Sequence, residues 1–262
     1  MTPSLSDVAV LIPARLQSTR LPGKMLASIL GKPLIQWVYE IASQTFGKNR
    51  VFILTDHENI ANVAKDFAAQ EQIIMTPVEC ISGSARLSWA LNQPLKNLAA
   101  KWIIGWQGDE PLLPIEAIFL CLEALQNNPR CALSTLCCPL HEADFENPSA
   151  VKCVTDRMGK ALYFSRSPIP NPGWHKNNKS MPLMAKRHVG LYIWSRDFLA
   201  QTFPNLKPTP LQLAEDLEQL GILEEGYAIQ TAFWSGEMPP GVDLASDLEL
   251  VRLKLSQKLG SK

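Results

Sequence analysis

The chain has 262 residues, 46% hydrophobic and 19% charged, a composition that fits one large or two small globular domains and excludes a chain disordered as a whole. Its 25 Lys and Arg balance 25 Asp and Glu, which excludes a chain-wide basic field for gripping nucleic acid and leaves only local patches. No apolar stretch reaches the roughly 18 residues of a membrane span, and the first apolar run is too short for a signal sequence, so a cytoplasmic location without membrane partners is expected.

Val8–Ile12 is a continuous apolar run ending at Pro13 and reads as a buried parallel strand. A loop runs on through Lys24. Pro33 then opens a helix with Leu34, Val38, Ile41 and Ala42 on one face. Arg50–Thr55 is the next predicted strand, Glu58–Ala69 a second helix, Ile73–Met75 a short strand and Ser84–Leu91 a helix. Lys101–Trp106 is a strand ending at Gln107-Gly108-Asp109-Glu110-Pro111, and Pro114–Leu125 is a helix. This alternation predicts an α/β fold: an open, mostly parallel twisted sheet with helices on both faces.

The rhythm changes after about residue 130. Cys131–Pro139, Ala150–Thr155, Ala161–Phe164, Val189–Trp194 and Tyr227–Phe233 read as strands; Arg196–Phe203, Pro210–Leu220 and Ser246–Lys258 read as helices. Pro168–Pro182, rich in Pro, Asn, Gly and Lys, is the best candidate for a lid. The expected organisation is a single domain over residues 1–262 with an inserted mixed lobe near 130–225. The six cysteines and four histidines form no C-x-x-C pair or ligand cluster. They argue against structural zinc and for small buried thiols in a reducing compartment.

Two loops concentrate chemistry. Between Val8 and Tyr39 there is no acidic residue, yet Arg15, Arg20, Lys24 and Lys32 stand there with Ser18, Thr19 and Gly23. Loops at the carboxyl ends of strands form the ligand crevice of an open α/β sheet, and this one suits a polyphosphate. Neither the P-loop nor the dinucleotide fingerprint is present. The second loop offers Asp109 at the end of another buried strand. Cations on one loop and a carboxylate on the next fit a nucleoside triphosphate with magnesium, which takes one or two carboxylates plus phosphate oxygens. A helix-capping role for Asp109 or Glu110 is the plainer alternative. Asp243, in Pro240-Gly241-Val242-Asp243, is a third candidate carboxylate, though by itself it reads rather as a helix-entry residue.

The stretch IPARLQSTRLPGKMLASILGKP at Ile12–Pro33 resembles the nucleotide-binding signature of the sugar cytidylyltransferases, and within them the 3-deoxy-manno-octulosonate (Kdo) cytidylyltransferases. TDHE at Thr55–Glu58, SGSAR at Ser82–Arg86, WQGDEP at Trp106–Pro111, NPSAVK at Asn147–Lys152, ALYFSRSPIP at Ala161–Pro170, RHVGLYIW at Arg187–Trp194, LEQL at Leu217–Leu220 and PPGVD at Pro239–Asp243 follow in the family's order. The resemblance spans roughly residues 7–256. It implies transfer of CMP from CTP to the anomeric hydroxyl of Kdo, with release of pyrophosphate and formation of CMP-Kdo for lipopolysaccharide assembly, by a magnesium-dependent homodimer. It assigns Arg15, Ser18, Arg20 and Lys24 to the triphosphate, Ser82, Arg86 and Gln107 to the nucleotide, and Asp109 and Asp243 to magnesium. Gln107, Arg166, His188, Glu218 and Gln219 would surround the acid sugar; Lys24, Arg15, Arg20 and Asp109 would be catalytic.

Some positions depart from the family pattern. Cys80-Ile81 replaces a polar pair, Ala85 an acidic residue, Gly105 a polar residue and Gly221 an arginine, and the helix-capping T-P-E after Asp243 is missing. These changes leave a related acid sugar (8-amino-Kdo or a sialic acid), or a non-catalytic nucleotide- or sugar-binding paralogue, as alternatives.

Overall fold

The computed structural model describes residues 4–16, 20–171, 185–236, 238–239 and 241–260. Ser18 and residues 172–182 of the predicted lid loop lie outside them. The chain divides into two compact units, one formed by Ser4–Pro114 with Pro239–Lys262 and the other by Ile115–Met238.

The first unit begins with strand β1 (Val8–Ala14), every residue of which is buried. A hairpin of β2 (Ser28–Ile29) and β3 (Lys32–Pro33), not foreseen from the sequence, follows the cation loop. Helix α1 (Leu34–Phe46) starts after Pro33, which holds extended geometry, and stops at Gly47 with φ 90°. Its buried face is wider than predicted: Ile35, Trp37 and Tyr39 join Leu34, Val38 and Ala42. Strand β4 (Val51–Thr55) leads to α2 (Glu58–Ala64), whose N-terminus is capped by His57 Nδ1 accepting the Asn59 N–H at 3.1 Å. This helix is shorter than the predicted Glu58–Ala69. The chain tightens into i→i−3 bonds at Asp66 and Phe67, and the Phe67 ring packs 5.5 Å from that of Tyr39. Strand β5 (Ile73–Met75), α3 (Gly83–Asn92) and β6 (Trp102–Gly105) complete the run. The sheet order is β6-β1-β4-β5, all parallel, so the carboxyl ends of β1 and β6 and the loops that follow them share one edge.

The second unit starts with α4 (Ile115–Asn127), which packs on β7 (Leu133–Pro139) and is tied to it by Ser134 Oγ donating to the Cys121 carbonyl at 2.6 Å. Strands β8 (Lys152–Thr155) and β9 (Ala161–Ser165) form an antiparallel pair, and β10 (Lys186–Ser195) runs antiparallel to both β7 and β8. The predicted helix Pro210–Leu220 is in fact two, α5 (Pro210–Glu215) and α6 (Glu218–Glu224), because Asp216 turns into the left-handed region at φ 51°. At Gly221 a Cβ would stand 2.3 Å from Gln212 Oε1, so a larger residue there would need the flexible Gln212 side chain to move aside. Strand β11 (Ile229–Phe233) pairs parallel with β7. The chain then returns to the first unit and ends in α7 (Ala245–Gly260), whose Val251 and Leu255 join Ile29, Leu34, Trp37, Leu112 and Val242 in one apolar cluster.

The first unit carries a parallel sheet with helices and the second a mixed one, an α/β fold as the alternation of elements implied. All six cysteines are free thiols and buried. Among the described residues no helix is long and apolar enough to cross a membrane.

Candidate active site

A left-handed turn and a close approach build the carboxyl edge of the first unit's sheet. Gly23 adopts φ 70° and ψ 15°, a left-handed geometry that suits glycine, and so turns the chain into the short 3-10 segment Lys24–Leu26. Gly108 lies so close to β1 that a Cβ would meet Ile35 Cδ1 at 2.9 Å, Met25 Sδ at 3.1 Å and the Pro13 carbonyl at 3.2 Å. The loop after β6 is therefore pressed against the residue beside Lys24. It is also pinned by Trp106, whose backbone N–H bonds Leu11 O at 3.1 Å and whose indole N–H donates to Glu110 O at 3.0 Å.

Lys24 is the centre of the arrangement. Its ammonium donates to Asp109 Oδ2, to Asp243 Oδ1 at 3.1 Å and to the Val242 carbonyl at 3.0 Å. Val242 is fully buried and its N–H returns to the Asp109 carbonyl at 2.9 Å, which locks Val242 and Asp243 to the loop after β6. Burial alone lowers the Lys24 pKa, but the two carboxylates outweigh it and hold the ammonium above its ordinary value. Arg20 adds a second cation, its Nη2 lying 3.2 Å from Asp243 Oδ2. Beside them the Glu110 carboxyl is pushed up to about 8, first by burial and then by the Asp109 and Asp243 charges, with Lys24 acting in the opposite direction.

Arg15, Arg20, Lys24, Arg86, Gln107, Asp109 and Asp243 all line one cavity of about 430 Å³, within the roughly 300–1,000 Å³ of small-molecule sites. Arg15 donates to the Ile81 carbonyl at 3.1 Å, which ties the cation loop to the segment that departs from the family pattern. Ser82 caps α3 by accepting the Ala85 N–H at 3.1 Å. Arg86 is fully buried, with Nη2 2.7 Å from Asp56 Oδ2 and Nη1 on Thr76 Oγ1. That anchoring by Asp56, in the TDHE segment, was not foreseen. Nor was Asp247, whose carboxylate accepts the N–H groups of Asp243 (3.0 Å) and Leu244 (2.8 Å). It is the third residue of α7 and satisfies the orphan donors of the helix entry, so the missing T-P-E pattern is replaced rather than lost.

The chemistry of the donor set suits a small hard cation. Asp109 and Asp243 already share one positive group, and magnesium takes one or two carboxylates with substrate phosphates completing its shell. Among the described residues no cluster of three or more His, Cys, Asp and Glu side chains forms a self-sufficient metal cage.

The remaining predicted residues belong to the second unit. Arg166 is engaged locally: Nε donates to Glu215 O at 2.8 Å, Nη1 to Pro148 O and Nη2 to Asp216 O, both at 3.1 Å. His188 sits on β10 between the rings of Phe164 (4.8 Å) and Tyr192 (5.7 Å), and burial pushes its pKa down to about 3. Glu218 opens α6. Gln219 is 3% exposed, accepts the Tyr192 hydroxyl at 3.1 Å, and its amide nitrogen has no partner among the described residues. Tyr192 and Thr135 were missed in the sequence; both are ordinary strand residues with no spacing signal.

A family model described as cytidylyltransferase matches residues 9–230. The chain belongs to the cytidylyltransferase family. Within it, its relatives are 3-deoxy-manno-octulosonate cytidylyltransferases. That of Chlorobium chlorochromatii is 43% identical over 257 residues, covering 96% of this chain and 98% of the relative. That of Francisella philomiragia is 41% identical over 248 residues, covering 94% and 97%. A solved structure of CMP:2-keto-3-deoxy-manno-octonic acid synthetase complexed with CTP is 36% identical, covers 97% of this chain and 100% of its own, and superposes with a TM-score of 0.86. A cytidylyltransferase from Leptospira borgpetersenii, 17% identical with a TM-score of 0.58 over 96% of this chain and 87% of its own, shares the fold.

Proposed function

We propose that the protein transfers CMP from CTP to 3-deoxy-manno-octulosonate, forming CMP-Kdo and releasing pyrophosphate. The observation that supports this most directly is the Lys24, Asp109 and Asp243 constellation at the carboxyl edge of β1 and β6, in a chain related over nearly its whole length to Kdo cytidylyltransferases. Nucleotidyl transfer is an in-line attack on the α-phosphorus, so the protein's task is positioning and charge neutralisation. Arg15 and Arg20 bring cations to the triphosphate. Lys24 is a compact charge suited to the negative charge that develops at the α-phosphate. Ser82, Arg86 and Gln107 are assigned to the nucleotide, Arg86 held rigid by Asp56. Asp109 and Asp243 are the residues that would hold magnesium; when bound, it neutralises phosphate charge. The acid sugar is assigned to Gln107, Arg166, His188, Glu218 and Gln219. The working form in this reading is a cytoplasmic homodimer.

Pyrophosphate release from CTP and Kdo with magnesium, against a control without sugar, tests the reading; no release above the control overturns it. The same assay with 8-amino-Kdo, a sialic acid and the other nucleoside triphosphates sets the selectivity, and light scattering gives the oligomeric state.

A further inference from the structure

One hydroxyl in the second unit has more neighbours than it has hydrogens. Thr135 Oγ1 lies 2.9 Å from the Leu191 carbonyl oxygen, 3.2 Å from the Val189 carbonyl oxygen and 2.9 Å from His188 Nε2. A threonine hydroxyl has one proton and two lone pairs. The two carbonyls can only accept. They fall where the register of β10 on β7 shifts, between Val189 and Tyr192. A register break disrupts the ladder locally, and buried carbonyls are rarely left unpaired. The Thr135 proton therefore goes to a carbonyl. His188 Nε2 then faces an oxygen lone pair, and it must bear the hydrogen of that contact. The ring is left with Nε2–H as donor and Nδ1 as bare acceptor.

We propose that Thr135 is a positioning residue that locks His188 in the Nε2–H tautomer, so that Nδ1 accepts a hydrogen bond from a hydroxyl of the acid sugar and disfavours its carboxylate. The proposal rests on the assignment of His188 to the sugar made above. Three further observations fit it. Nδ1 has no hydrogen-bond partner among the described residues, and the Phe164 and Tyr192 rings fix the imidazole plane. The ring's depressed pKa keeps it neutral at physiological pH. Tyr192, whose ring lies next to His188, donates its hydroxyl to Gln219 Oε1 and leaves the buried Gln219 Nε2 as an unpaired donor. A bare neutral acceptor suits a hydroxyl, which can donate to it. A carboxylate only accepts and would meet the Nδ1 lone pair.

The test is ¹⁵N NMR of the full-length protein, with the His188 ring assigned by loss of its signals in His188→Gln. The expected spectrum has a pyrrole-like Nε2 and a pyridine-like Nδ1. Thr135→Val is expected to lose that pattern and to raise KM for the acid sugar about tenfold, the scale of one neutral hydrogen bond, with KM for CTP unmoved. Thr135→Ser, which keeps the hydroxyl, is expected to recover the Nε2–H signature and most of the KM. A pyridine-like Nε2 in the wild-type protein overturns the proposal. A pyrrole-like Nε2 together with an unchanged sugar KM in both His188→Gln and Thr135→Val overturns instead the assignment of His188 to the sugar.

Discussion

Lys24 in the first unit touches two carboxylates and a carbonyl; His188 in the second touches one hydroxyl and lies against two aromatic rings. Both are enclosed polar groups, but they are satisfied differently. Around Lys24, formal charge is matched by formal charge: Arg20 on Asp243, Lys24 on Asp109 and Asp243, and further along Arg86 on Asp56. Around His188 the hydrogen-bonding groups of Thr135, Tyr192 and Gln219 are neutral, and direction rather than charge decides which are paired and which are left open. Charges attract over distance and tolerate exchange of partner, which suits the proposed task of binding a polyanion and letting pyrophosphate go. Directed neutral bonds discriminate donor from acceptor, which suits recognition of a polyol, since a site built to pair one polar pattern rejects another strongly.

The sharpest way to break this contrast is to remove one charge. Asp109→Asn keeps the shape of the loop but removes half of the charge facing Lys24, and pyrophosphate release is expected to fall by about 10³-fold, the scale of losing a key electrostatic group at a reacting centre. Circular dichroism is expected to be unchanged. Turnover within tenfold of wild type would take Asp109 out of the reacting centre.

Arg86→Met tests whether charge matching also supports the fold. The guanidinium is completely buried on Asp56, and breaking a buried pair by deleting one partner costs about 3–5 kcal/mol. Urea denaturation is expected to show a loss of that size. A loss below about 1 kcal/mol, the worth of an exposed pair, would mean that Asp56 re-pairs with solvent at little cost.

The neutral centre has its own pH signature. The His188 pKa is pushed from an ordinary 6.5 down to about 3, so between those values the unfolded chain binds a proton that the folded chain does not. The stability this site contributes is complete above about pH 6.5 and is lost as pH falls toward 3. Denaturation midpoints measured from pH 7 to pH 4 are expected to decline more steeply for the wild-type protein than for His188→Gln. Parallel slopes would show that His188 titrates normally.

The smallest effect concerns the entry to α7. Asp247→Ala removes the acceptor for the Asp243 and Leu244 N–H groups and is expected to cost about 1 kcal/mol. Because Asp243 faces Lys24, KM for CTP is expected to rise as well, whereas a purely stabilising cap would leave it unmoved.

The contrast also explains what was legible in the sequence. An acid-free stretch with four cations stands out from an otherwise neutral chain, and Asp109 follows a strand that is plainly buried, so those parts of the charged edge were legible from composition and order, whereas Asp243 joined them only through the family resemblance. Arg86 was found but its partner was not, because an Asp56–Arg86 pair thirty residues apart leaves no local pattern. Thr135 and Tyr192 look like any β-branched or aromatic strand residue, and only the register break in β10 gives Thr135 its three neighbours. His188, Gln219 and Glu218 came from family resemblance rather than from periodicity. The break at Asp216 was invisible for a related reason: a non-glycine residue with φ 51° follows no composition rule.

The Lys24 ammonium has one more consequence. Two carboxylates converging on a half-covered pocket would repel each other in a chain that waited for its metal, and many small metal sites are unfolded until it arrives. Here the chain carries its own counterion, joined to both carboxylates and to the Val242 backbone. Folding is thereby expected to proceed without divalent cations. If magnesium binds as proposed, exhaustive chelation is expected to abolish pyrophosphate release while leaving the melting temperature where it was, and added magnesium to restore release without refolding.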